Sequence, residues 1–294
     1  MVYVSASMIV NALVNGVVEG LIYGLAAAGL ALIWGVLNII NFAQGEYLML
    51  GAYVAVVAYL LGLDPLWAIP LAFAAVFVAG IATYVGAIRR ILRAPFLVQI
   101  AVTFALLLLI RYGVELVAGP YTWQVKSVVT GVVASLGFVR IPVTELLAAV
   151  GSAATFLLLH LLLTRTYLGL AARAVAQDRD AAELQGVDVD KVYMLVFALG
   201  VAISGVGGAL IALHQPVFPE MGAFYTLIAF IAVVLGGFTS IMGTFAAAIF
   251  LGVIEELSAI FISPELKHAV AFLVFILVLL LRPQGFRARG VRVA

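Results

Sequence analysis

Apolar stretches of membrane-crossing length recur along the chain, at about 8–35, 46–62, 65–88, 97–118, 143–163, 192–213, 223–237, 244–262 and 267–281. Spanning a bilayer core takes roughly 20 apolar helical residues. In lipid the backbone must satisfy its own hydrogen bonds, which leaves helices or closed barrels. The stretches are rich in Leu, Ala and Val and lack the two-residue alternation of strands, so they predict helices. The expected fold is all-α: a polytopic transmembrane bundle of 8–9 spans. The seventh, 223–237, is short enough either to cross or to re-enter.

Polar positions are few and grouped. The sharpest group, NIINFAQGEY at 38–47, places Asn38, Asn41, Gln44 and Glu46 between two apolar runs. One reading is a helix break beside a solute route, where amides satisfy freed backbone groups. The other is an ordinary turn with surface polar groups. Asn11, Asn15, Glu19 and Tyr23 recur every four residues on one face of the first span. Either Glu19 lines an outward vestibule, or the helix enters lipid only near Val17 and the stripe is wet. Arg111 in the fourth span has Glu115 one turn on as its nearest partner, with Glu19 as a second choice. Glu255 and Glu256 have no partner legible in sequence.

Composition agrees: 66% of residues are hydrophobic and 10% charged, too little polar surface to cover a soluble core. There is no cysteine, which excludes disulfides and thiolate chemistry. The first ten residues, MVYVSASMIV, lack a basic region, so no cleaved signal peptide is expected. Arg89, Arg90, Arg93, then Arg165, Arg173, Arg179, Lys191, then Arg282, Arg287, Arg289 and Arg292 make 11 of the 15 Lys and Arg. The positive-inside rule places all three groups in the cytoplasm. Nine spans satisfy this with the N-terminus outside and the C-terminus cytoplasmic. The loops 119–142 and 214–222 then face outward.

Gly16, Gly20 and Gly24 in the first span, and Gly200, Ser204 and Gly208 in the sixth, are spaced by four. Such stripes let helix backbones approach closely, as static packing or as a sliding seam. The apolar–break–apolar rhythm of 8–62 returns around GGFTSIMG at 236–243, a weak internal echo. His160, His214 and His268 lie on different segments without metal-ligand spacing, so no metal site is expected. None of Lys126, Lys191 and Lys267 completes a phosphate-binding loop, so no ATP chemistry is expected here.

The most charged segment is 164–191. Residues 168–185 are Ala-rich and free of proline, which predicts one helix capped by Gly186. Arg173, Asp178, Arg179, Asp180 and Glu183 make it a charged rod, either a solvated connector or a docking element.

Asp180-Ala181-Ala182 through Gly186 resembles the E-A-A-x-x-x-G loop of ABC importer permeases, with Asp in place of Glu. GLIYGLAAAGLALIWGVLNIINFAQGEYLMLGAY (20–53), RAVAQDRDAAELQGVDVDKVYMLVFALG (173–200), GGFTSIMGTFAAAIFLGVIEE (236–256) and RPQG (282–285) resemble branched-chain amino acid permeases of the LivH type. Many of those carry His where this chain has Gln44, which argues against a titrating role there. The resemblance implies a single permease domain, 1–294, with a cytoplasmic coupling loop at 164–191. There Arg173, Asp178, Arg179, Asp180, Ala181, Ala182, Glu183 and Gly186 would engage an ATPase. It implies a transport subunit rather than an enzyme, multi-pass in the plasma (inner) membrane. It further implies a homologous second permease, two cytoplasmic ATPases holding ATP and Mg, and an extracytoplasmic binding protein. No cofactor and no nucleic acid are expected on this chain. The solute would be a branched-chain or other small neutral or hydrophobic amino acid. Candidate pathway residues are Glu19, Asn38, Asn41, Gln44 and Glu46. The alternatives are an ion-coupled secondary carrier and a urea or short-amide permease or channel.

Overall fold

A computed structural model describes residues 6–136, 139–238 and 240–281. Its helices are α1 (Ala6–Leu37), α2 (Gln44–Leu60), α3 (Pro65–Ile91), α4 (Phe96–Ala118), α5 (Val143–Arg165), α6 (Tyr167–Gln177), α7 (Arg179–Leu184), α8 (Val189–Ile211), α9 (Met221–Gly236), α10 (Ile241–Phe261) and α11 (Lys267–Leu281). A short antiparallel pair, Val133–Leu136 with Val139–Pro142, precedes α5. Each of the nine apolar stretches is therefore helical. Six helices (α1, α3, α4, α5, α8 and α10) are long and apolar enough to cross a membrane, while α9 is apolar but shorter. This is an all-α membrane bundle.

α1 and α8 form its centre. Most of α8 is buried, and α1 is buried from Ile22 through Ile33 almost without interruption. α3, α4 and α5 turn most of their apolar surface outward, as helices in lipid do. Both glycine stripes are seams of close approach. A Cβ on Gly16 would lie 2.6 Å from Val253 Cα, and one on Gly20 would lie 2.5 Å from Ile249 Cα. The first stripe thus packs against α10, with Gly24 against the Phe245 ring. On the second stripe, Gly200 meets Gly29 and Ile33 of α1, while Gly208 meets the main chain of Leu48 in α2.

The expected single helix at 168–185 is two helices. Asp178 has extended backbone, and its carboxylate accepts from Ala181 N at 2.9 Å, capping α7. A helix-starting aspartate in an alanine-rich run ends one helix as it begins the next. Gly186 is the cap the sequence predicts: its φ of +86° closes α7, with Gly186 N donating to Glu183 O and Val187 N to Ala182 O.

The end of α3 meets the start of α8, where Arg89 Nε pairs with Asp190 at 3.0 Å and the Tyr84 hydroxyl donates to the same carboxylate. At the other end Asp64 clamps two loops. It accepts from Leu66 N, Val128 N and the Ser127 hydroxyl at 2.8–3.1 Å. Burial alone pushes this carboxyl up, but the Val128 and Leu66 N–H groups and the Ser127 hydroxyl together hold it below its ordinary value. The clamp therefore stabilises the fold at neutral pH, and its contribution is lost as pH falls through the lowered pKa. Asp64→Asn is expected to lower Tm by about 2 °C at pH 7. The gap between variant and wild type should narrow as pH falls below the ordinary carboxylate range, as scanning fluorimetry in detergent would show. The arginines at 282, 287, 289 and 292, and the RPQG motif, lie outside the described residues.

Candidate functional site

The break between α1 and α2 is built from its own polar residues. Asn38 ends α1 in the left-handed region, φ 55°, a conformation asparagine tolerates better than most residues. Its side chain is exposed. Asn41 Oδ1 accepts from Ala43 N at 3.2 Å, and Asn41 Nδ2 donates to Gln44 Oε1 at 2.9 Å. Gln44 Nε2 donates to Ser204 Oγ at 2.5 Å and to Gly200 O at 3.1 Å, with Ala26 O at 3.5 Å. Thr103 Oγ1 donates to Ile40 O, and Thr226 Oγ1 accepts from Gly45 N. Side chains from α4 and α9 thus satisfy main-chain groups at the break, while α8 holds the Gln44 side chain, as burial in a membrane requires.

Counting spans from the basic clusters puts 38–47 at the inner end of the first hairpin. The structure differs: Gly200 is the central residue of α8 (Val189–Ile211), so the break climbs to mid-length of the bundle and α2 starts there. Asn41, Gln44 and Glu46 are fully buried against protein rather than lining an open surface. The reading of surface polar groups fails for Asn41, Gln44 and Glu46 and holds only for the exposed Asn38.

The charged residues pair differently from their sequence neighbours. Arg111 Nη2 donates to Glu46 Oε1 at 2.5 Å, across α4 and α2, and not to Glu115. The helix-spacing argument picks Glu115 because it is one turn away. Only the crossing of α4 over the start of α2 selects Glu46, and no local signal carries that. The α1 stripe is not wet at its deeper half. Glu19 Oε1 accepts from Gln215 Nε2 at 2.5 Å and lies 3.4 Å from His214 Nε2. Tyr23 donates to Glu255 Oε2 at 3.0 Å. Glu255 also meets His268 Nδ1 at 3.2 Å, and Glu256 pairs with Lys267 at 3.3 Å. These are the partners that sequence left blank.

On the loop at 164–191, Asp178, Asp180, Ala181, Glu183 and Gly186 are exposed. Ala182 is buried and faces the bundle. Arg173 donates to Leu163 O, and the Arg179 guanidinium lies 5.9 Å from the Tyr193 ring centre. Arg173, Ala182 and Arg179 therefore make contacts within the chain. Leu184, which sequence reasoning passed over, is 87% exposed on this short helix. An apolar side chain at the tip of a charged rod was the available signal.

The fold and site define a helical membrane protein with a buried helix break and buried charge pairs. The chain belongs to the family described as "Branched-chain amino acid transport system / permease component", whose profile matches residues 12–279. It is 33% identical over 282 residues to the high-affinity branched-chain amino acid transport system permease protein LivH of Salmonella typhimurium strain LT2. That alignment covers 90% of this chain and 91% of the relative. The LivH protein of Escherichia coli K12 is equally similar, with the same coverage. BraD of Pseudomonas aeruginosa PAO1, named as the corresponding permease protein, is 31% identical over 287 residues, covering 90% and 91% of the two chains. No solved structure matches. The protein is a permease component, one part of a multi-component transport system and not itself an enzyme. It is a multi-pass protein of the plasma (inner) membrane.

Proposed function

We propose that this chain is the permease subunit of an ABC importer that moves branched-chain or other small neutral or hydrophobic amino acids inward. The observation that carries the reading is end-to-end likeness to permease proteins named for that transport, over nine-tenths of both chains. The chain crosses nine times, with the N-terminus outside and the C-terminus and the 164–191 loop in the cytoplasm, where its arginines cluster. It works with a second homologous permease and two cytoplasmic ATPases that hold ATP and Mg. An extracytoplasmic binding protein delivers the solute. The exposed residues of α7 dock on an ATPase. The break at 38–46, with Glu19 beyond it, borders the route. Closing the ATPases and loading the binding protein must favour different bundle states, or neither could drive the switch.

The test is uptake of radiolabelled leucine, isoleucine, valine and urea into vesicles holding the complete complex. Leucine-class uptake that needs ATP inside and the loaded binding protein outside is the expected result. Uptake that persists without ATP and collapses with an uncoupler would make the chain an ion-coupled carrier instead. Selective urea uptake would replace the solute class.

A further inference from the structure

An ion pair inside a bundle is costly to desolvate, and apolar residues of the same shape often stabilise a fold as well or better. Where such a pair is kept for structure, its remaining lone pairs and N–H groups are satisfied. The Glu46–Arg111 pair is not completed in that way. Glu46 Oε2 and Arg111 Nε are both buried without a hydrogen-bond partner among the described residues. Glu46 is wholly buried and the Arg111 side chain is 16% exposed.

The two halves of the pair sit on unequal supports. Glu46 is in the first turn of α2, packed into the core beside Gly222, where any Cβ would collide with its Oε2. Arg111 is on α4, the most outward-facing of the long spans, with 17% of its most apolar stretch buried. Only Gln99, Thr103 and Leu107 of α4 are buried. One charge is therefore fixed to the core and the other rides on a lightly held helix. Phe42, four residues before Glu46, has its ring centre 5.1 Å from that of Phe230.

We propose that Glu46 and Arg111 form the subsite that takes the two charges of a zwitterionic solute. The solute's ammonium pairs with the Glu46 carboxylate and its carboxylate with the Arg111 guanidinium. This rests on the amino-acid transport reading above. When the site is empty the two side chains close on each other, so neither charge is ever left alone in the bundle. When α4 withdraws, each meets the opposite charge of an α-amino acid. A solute with only one charge would leave the other half unpaired, which gives the site its selectivity.

The complete reconstituted complex tests this by leucine uptake. Glu46→Gln and Arg111→Gln are each expected to lower uptake by about tenfold or more. The decisive variant is the double one, E46Q/R111Q. A purely structural pair leaves no uncompensated buried charge once both charges are gone, so the double variant would recover uptake relative to either single one. A binding site stays at least about tenfold down while the variant still copurifies with its partners. An assembled double variant that transports at the wild-type rate overturns the proposal. If the double variant does not assemble, the wild-type complex decides. Modification of Arg111 by phenylglyoxal, read by mass spectrometry during turnover, should slow about threefold or more with saturating leucine. Equal rates with and without leucine overturn the proposal. A wild-type complex that takes up no amino acid with ATP removes the transport reading and this inference together. Wild-type uptake with a fully active double variant removes this inference alone.

Discussion

Gly208→Ala is expected to deplete the protein from the membrane fraction, while Gly207→Ala, one residue earlier, leaves yield unchanged and Tm equal or slightly raised. The two substitutions add the same methyl group to the same helix. At Gly208 that carbon would fall inside the van der Waals envelope of the Leu48 carbonyl oxygen, with Ala52 N at 2.8 Å. Both obstacles are main chain, so no rotamer change relieves them, and α2 would have to move away from α8 along its length. Overpacking among mobile side chains costs about 1–3 kcal/mol. A backbone obstacle at a central seam belongs to the exceptional class above about 4 kcal/mol. The loss compounds, because α2 cannot shift without disturbing the Gln44 bonds to Gly200 and Ser204. At Gly207 the nearest atom to a new Cβ is Leu25 Cβ at 3.5 Å, an ordinary contact. Alanine there also gains roughly 0.5–1 kcal/mol of helix propensity. Size-exclusion profiles from detergent extracts of the two strains, with a melting curve for each, check the contrast. Equal yields would mean that the α2–α8 seam is far looser than its geometry.

The seam also shows what sequence could and could not carry. Spacing by four identified Gly200, Ser204 and Gly208 as one stripe, because a helix puts such residues on one face whatever surrounds them. The stripe's partners, Gly29 on α1 and Leu48 on α2, depend on how three helices cross. The same division runs through the charges. Glu46 was legible as a costly polar residue, but its bond to Arg111 spans 65 positions of chain. The nearer Glu115 looked better only because local spacing was the one distance available. Helix extents followed from hydropathy to within a few residues, since lipid forces each crossing to be a helix. Asp178 escaped that logic. The segment around it is outside the apolar spans, so a single cap bond to Ala181 N decided between one helix and two.

That cap changes how the docking surface must be tested. On one unbroken helix, bulky residues at Ala182 and Gly186 would seem to probe a partner's contact. In the structure Ala182 is buried on the bundle side, and Gly186 holds a positive φ that closes α7. Changes there would distort the loop itself and leave the cause of lost transport ambiguous. Leu184 separates the two. It is 87% exposed, so in the chain alone its side chain rests in water. Full burial of a leucine against a partner is worth roughly 1.5–3 kcal/mol. Leu184→Glu is therefore expected to leave yield and Tm unchanged, because surface changes of this kind stay within about 0.5 kcal/mol. Replacing that burial with a buried unpaired carboxylate should weaken the ATPase contact and lower ATP-driven leucine uptake by about tenfold or more. Leu184→Ala should fall between, since it removes the apolar contact without adding a charge. Copurification of the ATPase subunits with each variant, alongside uptake, reads the effect at its source. A folded Leu184→Glu chain that keeps its ATPases and transports at the wild-type rate would show that α7 does not dock through this side chain.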